Sequence, residues 1–324
     1  MTITDNIYGN FDIKSQCIIE LINSKPMQRL KGITQFGVPD IYNVKKGFSR
    51  YDHSIGVMLI LNRLDASEEE QIAGLLHDVS HTAFSHVIDW VIGEGGLESY
   101  QDEQHESFVA KTEIPDILTK FGFSVDRITD YHHFGLLEKD LPDLCADRID
   151  YSLKEMPNEV AVECASKLVA KDNQIVFSDI KSAKLFADNF LKLQSEHWGG
   201  FESTARYRIF ADTLCLALKL DVIKMSDFWK DDEYILKKLS KTDNKNIKET
   251  LELLKNGNLA QLKKSKIKIQ KKFRFVDPLY LDDGNLKRLS ENDEGFATEI
   301  EQARKNNEAG FYLPEVPYLQ DVGL

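Results

Sequence analysis

No stretch of this chain is apolar for long enough to cross a bilayer: its longest hydrophobic runs fall far short of the roughly 20 residues a membrane helix needs. Cysteine is scarce. The four residues, Cys17, Cys145, Cys164 and Cys215, form no CxxC pair, and a chain of this size needs no disulfide staples. They read as reduced core thiols of a cytoplasmic protein. The opening MTITDNIYGNFDIK has neither a basic start nor an apolar segment, so no secretion signal is expected. Positive charge is also in short supply, with 41 Lys and Arg against 53 Asp and Glu and a net charge of −12. Such a field repels nucleic-acid backbones and anionic membranes, although it permits a local basic pocket for a small anion.

What is present is a helical pattern. Ile18 to Ile22, Ile55 to Leu64, Glu68 to His77, Ile180 to Leu193 and Arg208 to Leu220 carry apolar residues at helical spacing. Up to residue 235, only Gln174 to Phe177 alternates like a strand. Composition shifts near residue 236, where lysine becomes frequent. Ile267, Ile269, Phe273 and Phe275 would share one face of a strand there, with Lys264, Lys266, Lys268, Lys272 and Arg274 on the other. Turn signals follow at Asp277-Pro278, Asp282 to Gly284, Gly310, Pro314, Pro317 and Gly323. The expectation is a mainly α fold, with a helical body over 1–235 and a small mixed α/β appendage over 236–324.

Seven of the eight histidines fall between residues 53 and 133. The local contexts are SRYDHSIGV around His53, LLHDVSHTAFSH with His77, Asp78, His81 and His86, and CADRIDY with Asp147. Imidazole and carboxylate together suit a divalent ion such as Fe, Mn or Zn. A histidine and the adjacent aspartate cannot both face one way from mid-helix, but they can share an ion at a helix end. Val79-Ser80 marks such an end for the helix beginning near Glu68. An isolated histidine beside an apolar run is usually a hydrogen-bonded core residue. Several in separate, specific contexts point to a site. His132-His133 point apart on a helix and read as structural or surface residues.

Through these stretches the chain resembles the HD-domain phosphohydrolases, and within them the deoxynucleoside triphosphate triphosphohydrolases of the dGTPase and SAM- and HD-domain type. The matching segments are PMQRLKGITQFG, FSRYDHSIGV, AGLLHDVSHTAFSHVID, QHE and DRIDYSLKE, spread over about the first half of the chain. The resemblance implies a helical HD bundle and a divalent metal (Mn, Fe, Mg, Zn or Co) held by His53, His77, Asp78 and Asp147. It implies that His81, His86 and Asp89 line the reacting phosphate, with His105 and Glu106 completing the acid–base group. Arg50 and Arg148 would meet phosphate oxygens, Gln35 the sugar or base, Tyr151 the deoxyribose and Glu155 its 3′-hydroxyl. The implied reaction is attack of water at the α-phosphate of a dNTP, giving deoxynucleoside and triphosphate. A homo-oligomer, dimer or higher, goes with it. Arg206, Tyr207 and Arg208 are candidates for a triphosphate tail. The chain departs from the pattern at Ser80, where HDLGH has glycine, and in its compactness.

Rival readings are narrowed by what the motifs contain. The (p)ppGpp hydrolases carry HDxxED, whereas this chain reads HDVSH, and the GYP segment of cyclic-dinucleotide phosphodiesterases does not occur. A di-iron oxygenase would need extra ligands, for which His81 or His105 are candidates. A nucleoside monophosphate phosphatase shares the metal site and is the nearest alternative. From a different class stands a non-catalytic nucleotide or nucleic-acid-binding protein, supported by the basic strand Lys264 to Arg274 alone. Lysines on an exposed edge strand equally serve to block edge-to-edge pairing.

Overall fold

The helix Arg50–Arg63 is set by its first turn. The Ser49 hydroxyl accepts from the Asp52 amide while the Asp52 carboxylate accepts from the Ser49 amide, a reciprocal cap that fixes where the helix starts. From His53 to Leu61 every residue is buried, so this is the central rod of the bundle rather than an amphipathic surface helix. It packs against the helices Glu68–Leu76 and Ala146–Leu153. Gly56 permits the second contact: a Cβ there would lie 1.8 Å from Asp150 Oδ1.

The helix Glu68–Leu76 begins at a Ser67 cap with three glutamates in its first turn, which complement the helix dipole, and it ends at His77. The chain then runs through tight turns in which Phe84 and Ser85 take left-handed backbone conformations (φ +64° and +50°) that are costly for residues with a Cβ. Distant groups hold this segment in place. Asp232 accepts from the amides of Phe84 (2.7 Å) and Thr34 (2.9 Å). The Ala83 amide donates to the Phe228 carbonyl, and Arg29 donates to the carbonyls of Val79 and His81.

The computed structural model describes residues 1–316 and 319 apart from 94, 96 and 97, so the turn signals at Pro317 and Gly323 lie outside the described residues. Sixteen α-helices make the described fold mainly α, as expected. They surround two hydrophobic cores. The larger gathers around Arg50–Arg63 and the smaller around the helix Phe201–Lys219. The segment 77–86 passes between them: Val79 belongs to the first core, Ala83 and Phe84 to the second.

Eight short strands form three sheets. β1 (Thr2–Asp5) and β2 (Gly9–Asp12) make an N-terminal hairpin that helical periodicity does not announce. β3 (Leu168–Lys171), β4 (Gln174–Phe177), β6 (Leu279–Asp282) and β7 (Asn285–Arg288) form one sheet, in which Phe177 pairs with Tyr280 in parallel. β5 (Lys264–Ile269) pairs with β8 (Phe311–Pro314). The sheet containing β4 and β6 joins residues on both sides of the composition change near 236. The expected long basic strand is corrected in one respect. It stops at Ile269, its register shifts between Lys264 and Lys268, and Ile267 is exposed instead of sharing a buried face. Past the break, Phe273 and Phe275 stack on each other against the larger core, and Arg274 turns inward onto Glu98.

Candidate metal centre and active site

Three elements bring the expected ligands together: the first turn of Arg50–Arg63 carries His53, the end of Glu68–Leu76 carries His77 and Asp78, and the first turn of Ala146–Leu153 carries Asp147. His53 Nε2 lies 2.9 Å from Asp147 Oδ1 and 3.2 Å from His77 Nε2. His77 Nε2 is 3.5 Å from both Asp147 Oδ1 and Asp78 Oδ1, and His53 Nε2 is 3.6 Å from Asp78 Oδ2. Ligands at about 2.0–2.2 Å from one ion stand about 2.8–3.6 Å from each other, depending on geometry. The donor set fits that spacing.

The far side of each imidazole is committed. His53 Nδ1 is 2.7 Å from Asp150 Oδ2, and His77 Nδ1 is 2.7 Å from the Gly74 carbonyl oxygen. With a proton on each Nδ1, two Nε2 lone pairs face each other across 3.2 Å, which a shared cation satisfies. Burial alone would lower the histidine pKa values. The hydrogen bonds to Asp147 and Asp150 reverse that for His53, and Asp78 and Asp147 push His77 up to about 9. Burial works against Asp78 ionising, yet Arg50, His77 and His81 hold its carboxyl well below the usual range. The pocket thus favours positive charge where His53, His77 and Asp147 meet, with Asp78 at the edge of that group and bonded to Arg50 and His81.

Next to this point stand the groups expected to face a phosphate. Arg50 is buried and donates from Nε to Ser85 Oγ (2.9 Å) and from Nη1 to Asp78 Oδ2 (2.6 Å). His81 Nε2 is 3.2 Å from Asp78 Oδ1, and burial with Arg50 nearby keeps the ring neutral. The His81 and His86 rings meet edge to face with centroids 4.8 Å apart. His86 is 3.4 Å from Asp89, whose other carboxylate oxygen accepts from the Tyr100 amide; neither His86 Nδ1 nor Asp89 Oδ2 has a hydrogen bond among the described residues. These three side chains therefore stand together.

His105 is oriented differently. Its Nδ1 is 2.9 Å from Ser80 Oγ and its Nε2 is 2.6 Å from the Tyr131 hydroxyl, while burial lowers its pKa to about 4. The departure at Ser80 thus supplies a hydroxyl that holds this imidazole. Glu106 is exposed at the rim of the same cavity.

The cavity has a volume of about 1250 Å³ and is lined by His77, Asp78 and Asp147 along with Gln35, Arg148, Tyr151 and Glu155, while His53 is fully buried behind them. Gln35 Oε1 is buried without a hydrogen-bond partner among the described residues. Glu155 accepts from His197 Nδ1 (2.6 Å) and Trp198 Nε1 (2.7 Å), so it fixes an aromatic wall in which Tyr151 packs edge-on to Trp198. Arg148 donates to the carbonyls of Asp143 and Lys139 and to Cys145 Sγ, which ties it to the loop before its own helix. Of the tail candidates, Tyr207 lines the cavity. Arg206 instead donates to the carbonyls of Tyr42, Leu254 and Gly257, and Arg208 pairs with Asp212. His132 and His133 are exposed.

Sequence reading missed several members. Asp150, fully buried, receives His53 Nδ1, the Tyr8 hydroxyl (2.8 Å) and Lys154 Nζ (2.5 Å). Its signal was its position, one helical turn beyond Asp147. Tyr8 gave no signal, because it arrives from the N-terminal hairpin. Glu138 and Cys145 lie beside Asp147, and burial next to that carboxylate raises Glu138 to about 8. Lys271, Arg274 and Glu98 also line the cavity.

The sequence pattern of the HD domain matches residues 50–154, the span that contains all four expected ligands. The chain is also 36% identical over 323 residues to the uncharacterised protein YdhJ of Bacillus subtilis, covering 96% of each chain. It belongs to the HD-domain phosphohydrolase superfamily. A metal-dependent phosphohydrolase of Cordyceps militaris, cns2, is 38% identical over 170 residues, 52% of this chain and 49% of that protein. A deoxynucleoside triphosphate triphosphohydrolase SAMHD1 homolog of Dictyostelium discoideum is 32% identical over 117 residues, 31% of this chain and 23% of its own. HD domains depend on a metal, and His53, His77 and Asp147 are a potential binding group for it here. Among the described residues, no helix is long and apolar enough to cross a membrane.

Proposed function

We propose that this HD protein hydrolyses a nucleotide phosphoester, with deoxynucleoside triphosphates as first substrates and deoxynucleoside plus triphosphate as products. The observation that carries the reading is the placing of His77, Asp78 and Asp147 at one wall of a large cavity with His53 directly behind them, and with Arg50 and His81 bonded to the same Asp78. When bound there, a divalent ion supplies Lewis-acid charge to a phosphoryl oxygen. Arg50 neutralises charge on the phosphate, and neutral His81 donates a hydrogen bond to it. His86, paired with Asp89, is the proton carrier for the leaving sugar oxygen, because it alone of the buried-site histidines is partly open to the cavity. His105, held by Ser80 and Tyr131, keeps the turn after His77 in place, and Glu106 completes the acid–base group from the rim. Gln35, Tyr151 and the Glu155-braced Trp198 receive the nucleoside; Arg148 stiffens the loop before Asp147. The Dictyostelium relative's activity and the shared motifs support the dNTP choice.

One observation favours a second reading, a nucleoside monophosphate phosphatase or other nucleotide phosphodiesterase. Much of the cavity lining is acidic, including Asp102, Asp126, Asp130 and Asp140, which disfavours a highly charged tail on that side. A panel of dNTPs, NTPs and NMPs with Mn, Mg, Fe or Co, assayed for triphosphate against phosphate release, separates them. Phosphate from monophosphates alone would remove the dNTP reading and leave the phosphohydrolase. A homo-oligomeric, cytoplasmic enzyme completes the proposal, tested by light scattering and cell fractionation.

A further inference from the structure

The cations of the cavity fall into two groups. Arg50 and Arg148 are committed, the first to Asp78 and Ser85, the second to backbone carbonyls and Cys145. Apart from Lys139, the others, Lys271, Lys272 and Arg274, come from the segment after the break in the basic strand. Lys271 and Arg274 both converge on Glu98. Arg274 Nη2 hydrogen-bonds Oε2, and Lys271 Nζ lies 3.6 Å from Oε1. Two cations pair directly with one carboxylate, and the Asp89 carboxylate lies next in the field of Lys271. All three side chains are largely buried, with 13%, 25% and 13% of Lys271, Arg274 and Glu98 exposed. Lys271 Nζ also sits 4.3 Å from the centre of the Tyr207 ring and 5.4 Å from that of Trp90, which keeps it dehydrated and in place. This cluster is coupled to the metal side of the cavity: Glu98 lies in the field of His86, and Arg274 in the fields of Tyr151 and Arg148.

Two cations buried this deeply carry a desolvation cost that one directly paired carboxylate offsets only in part, and an entering anion would offset more of it. We propose that Lys271 and Arg274 are specificity-determining residues that bind the distal phosphates of a nucleoside polyphosphate, and that Glu98 stands in for those phosphates when the cavity is empty. The proposal deepens the phosphohydrolase reading and rests on it for the substrate class. A guanidinium that donates to a carboxylate equally donates to phosphate oxygens, and a phosphate chain brings more charge and more acceptor atoms than Glu98 does. Binding therefore exchanges an internal ion pair for a stronger external one, and a substrate without distal charge leaves the Glu98 pairing intact.

The test titrates inorganic tripolyphosphate into the metal-free chain by calorimetry. Arg274→Met and Lys271→Met each weaken binding at least tenfold, Arg274→Lys recovers part of the loss, and Glu98→Gln tightens binding severalfold. A purely structural ion pair predicts no tightening for Glu98→Gln. No binding by the wild type, no effect of Arg274→Met, or no tightening by Glu98→Gln overturns the proposal. In turnover, Arg274→Met raises the KM for a dNTP more than tenfold relative to any change in the KM for bis(p-nitrophenyl) phosphate; an unchanged ratio also overturns it. If the wild type cleaves neither compound with any divalent metal, the phosphohydrolase reading fails, and the tripolyphosphate titration still decides the role of Lys271 and Arg274.

Discussion

Replacing Asp150 with asparagine tests whether the metal site is built from behind. Asp150 touches no expected substrate or metal; it receives three donors, His53 Nδ1 at 2.7 Å, the Tyr8 hydroxyl at 2.8 Å and Lys154 Nζ at 2.5 Å. The asparagine side chain has one carbonyl oxygen for these three. If that oxygen keeps His53, the new amide faces Tyr8, which can turn to accept, and Lys154, which cannot. Lys154 is then a largely buried ammonium, 10% exposed, without its counter-ion. Breaking a buried pair on one side costs about 3–5 kcal/mol. If instead the amide faces His53, the ring turns or shifts its proton to Nε2 and ceases to be a ligand. Loss of such an outer partner typically lowers metal affinity about 10- to 100-fold. Metal content and Mn affinity would be measured by elemental analysis and calorimetry, and stability by denaturant titration. The double variant Asp150→Asn with Lys154→Met removes the orphaned charge, so it recovers stability without recovering metal affinity. Unchanged metal affinity in Asp150→Asn at full folded content would refute the reasoning.

Other outcomes follow from the same geometry. Asp78→Ala abolishes turnover and metal content; circular dichroism keeps its helical signal, with some stability lost because buried Arg50 loses its partner. Gly56→Ala drives a Cβ into Asp150, 1.8 Å from its Oδ1, so it copies the metal defect of Asp150→Asn and destabilises the chain by about 2 kcal/mol or more on denaturant titration. Asp232→Asn puts a donor opposite the amide of Phe84 or Thr34 and costs about 1–3 kcal/mol; it slows turnover while sparing metal content, since it frees the loop carrying Ser85 and His86. Burial opposes ionisation of Glu98, but Lys271 and Arg274 lower its pKa from 4.5 to about 2. A lowered carboxyl stabilises the fold above its unfolded value and loses that contribution as pH falls. Stability should therefore decline between about pH 4.5 and 2, by at most about 3 kcal/mol from this group, and Glu98→Gln should flatten that part of the curve.

The amino-acid sequence on its own determined the helical character and the short runs that supply the donors of the candidate site. Both signals are local. Helical periodicity is written within a few turns, and the HD run with its flanking SRYDH and DRIDY segments carries its donors within short stretches. The end of the Glu68–Leu76 helix at His77, which lets neighbouring side chains face one point, was readable for the same reason. What only the tertiary structure decided depends on segments far apart in the chain. Tyr8 reaches Asp150 across 142 residues, Asp232 holds Phe84 across 148, and Arg274 meets Glu98 across 176. The basic strand breaks at Ile269 because its partner β8 lies past residue 310 and sets the register. Burial and the choice of counter-ion are properties of a folded neighbourhood, and no spacing along a chain encodes which distant charge will arrive there.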